Sequence, residues 1–157
     1  MMMADPGELL PASGILARVR AGTKREALEA ICATAASALS LDASLLLEAV
    51  LEREALGGTG VGDGVAIPHA RIAGPERVTG FFARLDPPQS FDAHDGKPCD
   101  LVFMLVAPLD AGADHLKALA LVSRTLRRAD LREKLRAAET PQAIRALLRP
   151  HPAASAA

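Results

Sequence analysis

LVFMLV, from Leu101 to Val106, is an apolar run without any polar alternation. A strand that shows one face to water alternates apolar and polar side chains, so an unbroken run of this kind has to be covered on both faces. The rest of the chain must therefore lay material over each side of the sheet that this strand joins, and it carries helices suited to the task. Thr23-Lys-Arg-Glu26 has the form of a capping box, and Leu28, Ile31, Cys32, Ala35 and Leu39 follow it at helical spacing. Asp42 is placed to cap a second helix, with Leu47, Val50 and Leu51 on its apolar face and Gly57 and Gly58 at its end. A third helix is predicted from Asp114 to about Arg128, with Leu116, Leu119, Ala120 and Leu126 inward. Shorter helices follow over Leu131–Ala138 and from Thr140-Pro141, read as N-cap and first helical residue.

Other strands are read in GILARV, in Val65-Ala-Ile67 and in Arg77–Leu85, the last as the more exposed, while Pro108 stops the central one. Helices before, between and after strands define an α/β class. The expectation is a single layered domain over residues 1–150, a central mixed β-sheet flanked by α-helices, with 151–157 a frayed tail.

Composition excludes several functions. With 18 Lys+Arg against 19 Asp+Glu the net charge is -1, so nothing draws the whole chain to nucleic acid or an anionic membrane. There is no Trp or Tyr and only four Phe, which leaves no stacking platform for single strands. The N-terminus, with Asp5 and Glu8, lacks the basic start and apolar run of a secretory signal, and the apolar segments are too short to span a bilayer. Cys32 and Cys99 form no C-x-x-C and sit among apolar residues, as reduced core thiols would. A cytoplasmic protein without direct membrane insertion is expected.

The segment GGTGVGDGVAIPHARI, Gly57 to Ile72, is the candidate site. It completes neither G-x-x-x-x-G-K-[ST] nor G-x-G-x-x-G. Thr59, Gly60, Gly62 and Gly64 are its candidate phosphate-binding residues, since glycine lets backbone amides approach an anion closely. Pro68 restricts both itself and Ile67, so His69 is delivered from a stiff support. A neutral imidazole is a competent nucleophile near pH 7. Arg53, at the end of the preceding helix, could fork onto phosphate oxygens, and His115, at the start of the third helix, would be kept neutral by the helix N-terminal field. Its ordinary alternative is a first-turn residue beside Asp114. His94 and His151 are read as structural or surface residues. A zinc site from His69, His115 and Asp63 or Asp114 competes, but no H-E-x-x-H or Cys-His spacing supports it, so neither metal nor cofactor is expected.

GTGVGDGVAIPHARI resembles the signature around the phosphorylated histidine of fructose/mannitol-type IIA domains of the bacterial sugar phosphotransferase system. FDAHDGKPCDLVFMLVAP and DHLKALALVSRTLRR are similar to the later strand and second-histidine helix of that family, most closely in its nitrogen-related branch. The resemblance spans roughly Leu9 to Arg149. It implies that His69 accepts a phosphoryl group from the phosphohistidine of an HPr-like carrier, with Arg53 and His115 lining the site. Regulated target proteins, or a IIB protein in the sugar-relay alternative, would be the further partners. The chain departs from the family at Gly58, where serine is frequent, and at Asp63, where asparagine is.

Overall fold

A computed structural model describes residues 5–149, so the tail over 151–157, and His151 with it, lie outside the described residues. After a 3-10 turn over Pro6–Leu9, the elements run β1 (Ile15–Val19), α1 (Lys24–Leu39), α2 (Ala43–Leu56), β2 (Gly60–Gly62), β3 (Val65–Ala66), β4 (His69–Arg71), β5 (Thr79–Gln89), β6 (Cys99–Ala107), α3 (Ala113–Leu126), α4 (Ala129–Ala137) and α5 (Pro141–Leu148). The local signals for helix starts act as read. Thr23 Oγ1 accepts from the Glu26 amide at 3.0 Å, and the Glu26 carboxylate reaches back to Gly22 N–H at 2.8 Å, one residue before the cap. Asp42 caps α2 through the amides of Ser44 and Leu45, and Thr140 caps α5 through Ala143.

The sheet is mixed, in the order β1-β5-β6-β3-β2, with β4 also paired to β6. β6 is its axis, antiparallel to β5 and parallel to both β3 and β4. Its side chains divide between two cores, as the unbroken apolar run requires. Val102, Met104 and Val106 pack with Leu28, Ile31, Leu46 and Val50 of α1 and α2. Leu101, Phe103, Leu105 and Ala107 pack with Ala118 and Val122 of α3 and with Leu135 and Ile144 beyond it. Both cysteines are unpaired and buried, and burial pushes the Cys32 thiol up to about 12 and the Cys99 thiol up to about 11. Among the described residues no helix is long and apolar enough to cross a membrane.

Three expectations are corrected. The Arg77–Leu85 strand is the longer β5, buried over most of its first half between β1 and β6 instead of exposed. Arg84 disguised it, but its guanidinium is satisfied by the carbonyls of Ala17 and Arg136, which lets a charged residue sit in an inner strand. In α3 the inward residues are His115, Ala118, Leu121, Val122 and Leu126, whereas Leu116 is 64% exposed and Ala120 is exposed. In α2 the buried positions are Leu46, Val50 and Glu54, with Leu47 and Leu51 only partly covered.

The glycine stretch forms a tight hairpin. β2 and β3 are antiparallel, and Asp63 (φ 58°) and Gly64 (φ 80°) turn between them. Positive φ at both turn residues is the I′ arrangement that suits the twist of paired strands, and Asp-Gly is a preferred sequence for it. Gly58 and Gly60 lie against the Phe91–Ala93 segment, where Gly60 N–H donates to the Phe91 carbonyl at 3.0 Å. A Cβ on Gly58 would collide with that carbonyl oxygen and come 2.5 Å from Asp92 Cβ. Installing the family's usual serine, Gly58→Ser, is therefore expected to destabilise this chain by about 1–3 kcal/mol through overpacking. Urea unfolding would show it as a lower midpoint at unchanged slope; an unchanged or higher midpoint would contradict the packing argument.

Candidate functional site

β3 and β4 continue one another along β6. Val65 and Ala66 oppose Leu101 and Val102, while His69, Ala70 and Arg71 oppose Leu105, Val106 and Ala107 without a change of register. Pro68, lacking an N–H, interrupts the hydrogen bonds but keeps its carbonyl in the ladder, accepting from Leu105 N–H at 2.9 Å. His69 thus stands in a short strand rather than in a loop. Strand alternation places His69 and Arg71 on one face, that of α3, and Ala70 on the other, where it joins the α1–α2 core.

The helices of both layers meet at this place. α2 delivers Arg53 from its last turn, α3 delivers His115 from its first, and a cleft of about 450 Å³ opens between them with His69 and Arg71 in its wall. Leu56, Leu116 and Leu119 form an apolar rim, and Leu56 is 85% exposed.

Hydrogen bonds define the protonation of both rings. His69 Nδ1 lies 2.9 Å from the Ile67 carbonyl, which can only accept, so Nδ1 carries the proton. Arg53 Nε lies 3.2 Å from His69 Nε2 and can only donate, so Nε2 holds a lone pair. Arg53 Nη1 is itself anchored on the Gly57 carbonyl at 2.8 Å. His115 also faces a guanidinium, but through its other ring nitrogen, its Nδ1 being 3.1 Å from Arg71 Nε. The two imidazoles meet edge to face, centroids 5.3 Å apart at 77°. Burial pulls the His69 pKa below the ordinary histidine value, the Ile67 hydrogen bond opposes that, and the Arg53 charge reinforces it. Burial, then His69, then Arg71 push His115 down to about 4. The site therefore holds two neutral imidazoles, each facing a guanidinium.

Of the residues singled out in the sequence, the structure brings together His69, His115 and Arg53. Thr59, Gly60, Gly62 and Gly64 do not line the cleft. Thr59 is buried, and its N–H (3.0 Å) and hydroxyl (2.6 Å) both donate to the Glu54 carboxylate, which Lys24 also approaches at 3.4 Å. This cluster ties the end of α2 to the start of the hairpin. The hairpin turn faces elsewhere: Asp63 N–H donates to Asp95 at 2.8 Å, its carboxylate lies 3.8 Å from Arg132, and Gly64 adjoins Asp100 and Arg136. Asp63 is thus turned away from the histidines. Arg71 was missed as a site residue, although the i, i+2 relation to His69 in a strand signals it. His94 is exposed, as expected of a surface residue. Among the described residues no group of three or more His, Cys, Asp or Glu is placed to hold a metal ion.

Comparison with known proteins shows the family and the fold. The family model "Phosphoenolpyruvate-dependent sugar phosphotransferase system, EIIA 2" matches residues 8–150, and the chain belongs to that family. It is 46% identical over 149 residues to a nitrogen regulatory protein of Bradyrhizobium diazoefficiens, covering 95% of this chain and 97% of that one. It is 38% identical over 149 residues to the fructose-specific EIIA component of Haloferax volcanii, covering 94% and 97%. The crystal structure of nitrogen regulatory protein IIA-Ntr from Neisseria meningitidis superposes with a TM-score of 0.85 at 38% identity, covering 91% of this chain and 98% of that one.

The depressed value of His115 predicts a pH effect on stability. Its folded pKa of about 4 lies below the unfolded value of about 6.5, so between these limits the unfolded chain binds the proton first. Stability associated with His115 is expected to fall as pH drops from about 6.5 towards 4 and to level off below that. NMR titration should show the His115 ring still neutral at pH 5, and His115→Asn should flatten this part of the stability profile. A His115 ring that is already half protonated near pH 6.5 would refute the assignment.

Proposed function

We propose that this chain is a phosphocarrier of the nitrogen-related phosphotransferase system, accepting a phosphoryl group on His69 Nε2 from an HPr-like carrier and controlling partner proteins by its phosphorylation state. The observation that carries this reading is the hydrogen-bonded frame of His69: Nδ1 is committed to the Ile67 carbonyl, and the lone pair of Nε2 stands in the cleft beside Arg53. In the transfer, the P–N bond of the donor phosphohistidine breaks and its electron pair returns to the donor ring, while a P–N bond forms to His69 Nε2. The Nδ1 proton stays on its carbonyl partner, so the product is a phosphoimidazolium; the donor, arriving in that form, leaves as neutral imidazole. Protons balance without a separate base. Arg53 and Arg71 supply positive charge where three phosphoryl oxygens arrive, and phosphoryl transfer depends mostly on such positioning and charge stabilisation.

The relatives named nitrogen regulatory protein support the regulatory reading. The fructose-specific relative of similar coverage supports a second one, in which the group passes on to a IIB protein of a sugar transporter. Both readings use the same chemistry at His69. Phosphorylation brings a charge of roughly -1.5 to -2, as on serine or threonine, to a cleft whose rim is apolar, so a partner seated there would meet repulsion and desolvation after modification. The unpaired buried cysteines accord with a cytoplasmic setting.

Incubation with phosphoenolpyruvate and a reconstituted HPr-type carrier should place one acid-labile, base-stable group on His69, mapped by mass spectrometry. His69→Ala should take none, and Arg53→Ala should fold but accept the group on the order of 10²-fold more slowly. Wild-type stoichiometry on His69→Ala would overturn the assignment. Adding a fructose-type IIB protein separates the readings: rapid onward transfer favours the relay, while partners captured by only one phosphorylation state favour regulation.

A further inference from the structure

The hydrogen bonding of His115 is half complete. The residue is 4% exposed, its Nδ1 accepts from Arg71 Nε at 3.1 Å, and its Nε2 is buried with no partner among the described residues. Because arginine has donors only, Nδ1 must offer a lone pair, and the one proton of the neutral ring then resides on Nε2. A buried N–H without an acceptor is costly, and such a group calls for an explanation. Here the neighbouring ring is that of His69, 5.3 Å away between centroids.

We propose that Arg71 is a positioning residue: by donating to Nδ1 of His115 it selects the Nε2–H tautomer, so that His115 presents a neutral donor to the phosphoryl group carried by His69. The proposal rests on His69 as phosphoacceptor and adds a role for a residue outside the Arg53–His69 pair. The fold explains why Arg71 can do this. It follows His69 by two residues in β4, on the face covered by α3, and the first turn of α3 brings His115 over that face. The guanidinium holds Nε in a rigid plane, which suits the selection of one ring nitrogen better than a flexible ammonium would. Its Nη groups make no hydrogen bond to the described residues, so the contact with His115 is its only hydrogen bond among them.

Ring-nitrogen NMR of the unphosphorylated protein tests the tautomer directly. Wild type should show His115 Nε2 protonated and Nδ1 bare, at the limiting shifts of a pure tautomer; Arg71→Met should move both shifts towards those of a mixture. Arg71 is exposed, so this variant is expected to keep the fold. Single-turnover phosphorylation by the HPr-type carrier should slow roughly tenfold in Arg71→Met, the lower end of the scale known for partners that orient metal-ligating histidines. In a His115→Ala background the same substitution should slow transfer less than in the wild type, because Arg71 then has no ring to orient and acts through its charge alone. Unchanged His115 shifts in Arg71→Met, an unchanged rate, or an equal slowing in both backgrounds would overturn the proposal. Label persisting on His69→Ala would instead remove the acceptor assignment and leave the tautomer measurement standing.

Discussion

The backbone ladder between β6 and the segment from Val65 to Arg71 is the constraint on which the site depends. It holds His69 opposite Leu105 and Arg71 opposite Ala107, with Pro68 passing through the ladder at no cost in register. β6 can occupy that position only because both of its faces are covered, one by α1 and α2 and the other by α3 to α5. The two layers then converge beside β4, where Arg53 from one and His115 from the other reach the same cleft. Removing either layer would strip one partner from the histidine pair as well as uncovering β6.

The chemistry of the cleft is one of matched but unequal groups. Each imidazole faces a guanidinium, and burial together with that positive charge favours the neutral ring. A neutral ring facing a cation is a poor resting arrangement for the cation and a good one for an arriving anion. The same charges that depress protonation of the rings would therefore favour an anion held between them. Glu54, buried and next in sequence to Arg53, does not line the cleft and holds Thr59 and Lys24 instead.

The strand that needed two covers, the capped starts of α1, α2 and α5, and the meeting of His69, His115 and Arg53 were legible in the sequence. The strand and cap signals are local, whereas the meeting of the three residues was what the family resemblance implied. What was not legible depended on partners distant in the chain. Arg84 looks like a solvent residue until the carbonyls of Ala17 and Arg136 are seen to accept from it. The phase of α3 was misjudged because its inward stripe begins with a histidine, so the apolar Leu116 beside it drew the assignment. Hairpin and anion nest share a need for positive φ, so the glycines alone do not distinguish them; the Asp63-Gly64 pair is the local signal of the hairpin. Arg71 joins the site only once the ladder is seen to run on past Pro68, which sets it on the same face as His69.

The rigidity of the Ile67-Pro68-His69 segment bears on how long a partner must stay. Its carbonyls and ring nitrogen are already engaged before any carrier arrives, so little ordering remains to be done at the moment of contact. Encounters can then be short and still productive, and a complex need not be tight to be competent. For a carrier of the kind proposed, throughput depends on letting go as much as on capture, and residence time would then be set by the exposed Leu56 and Leu116 of the rim rather than by the histidines.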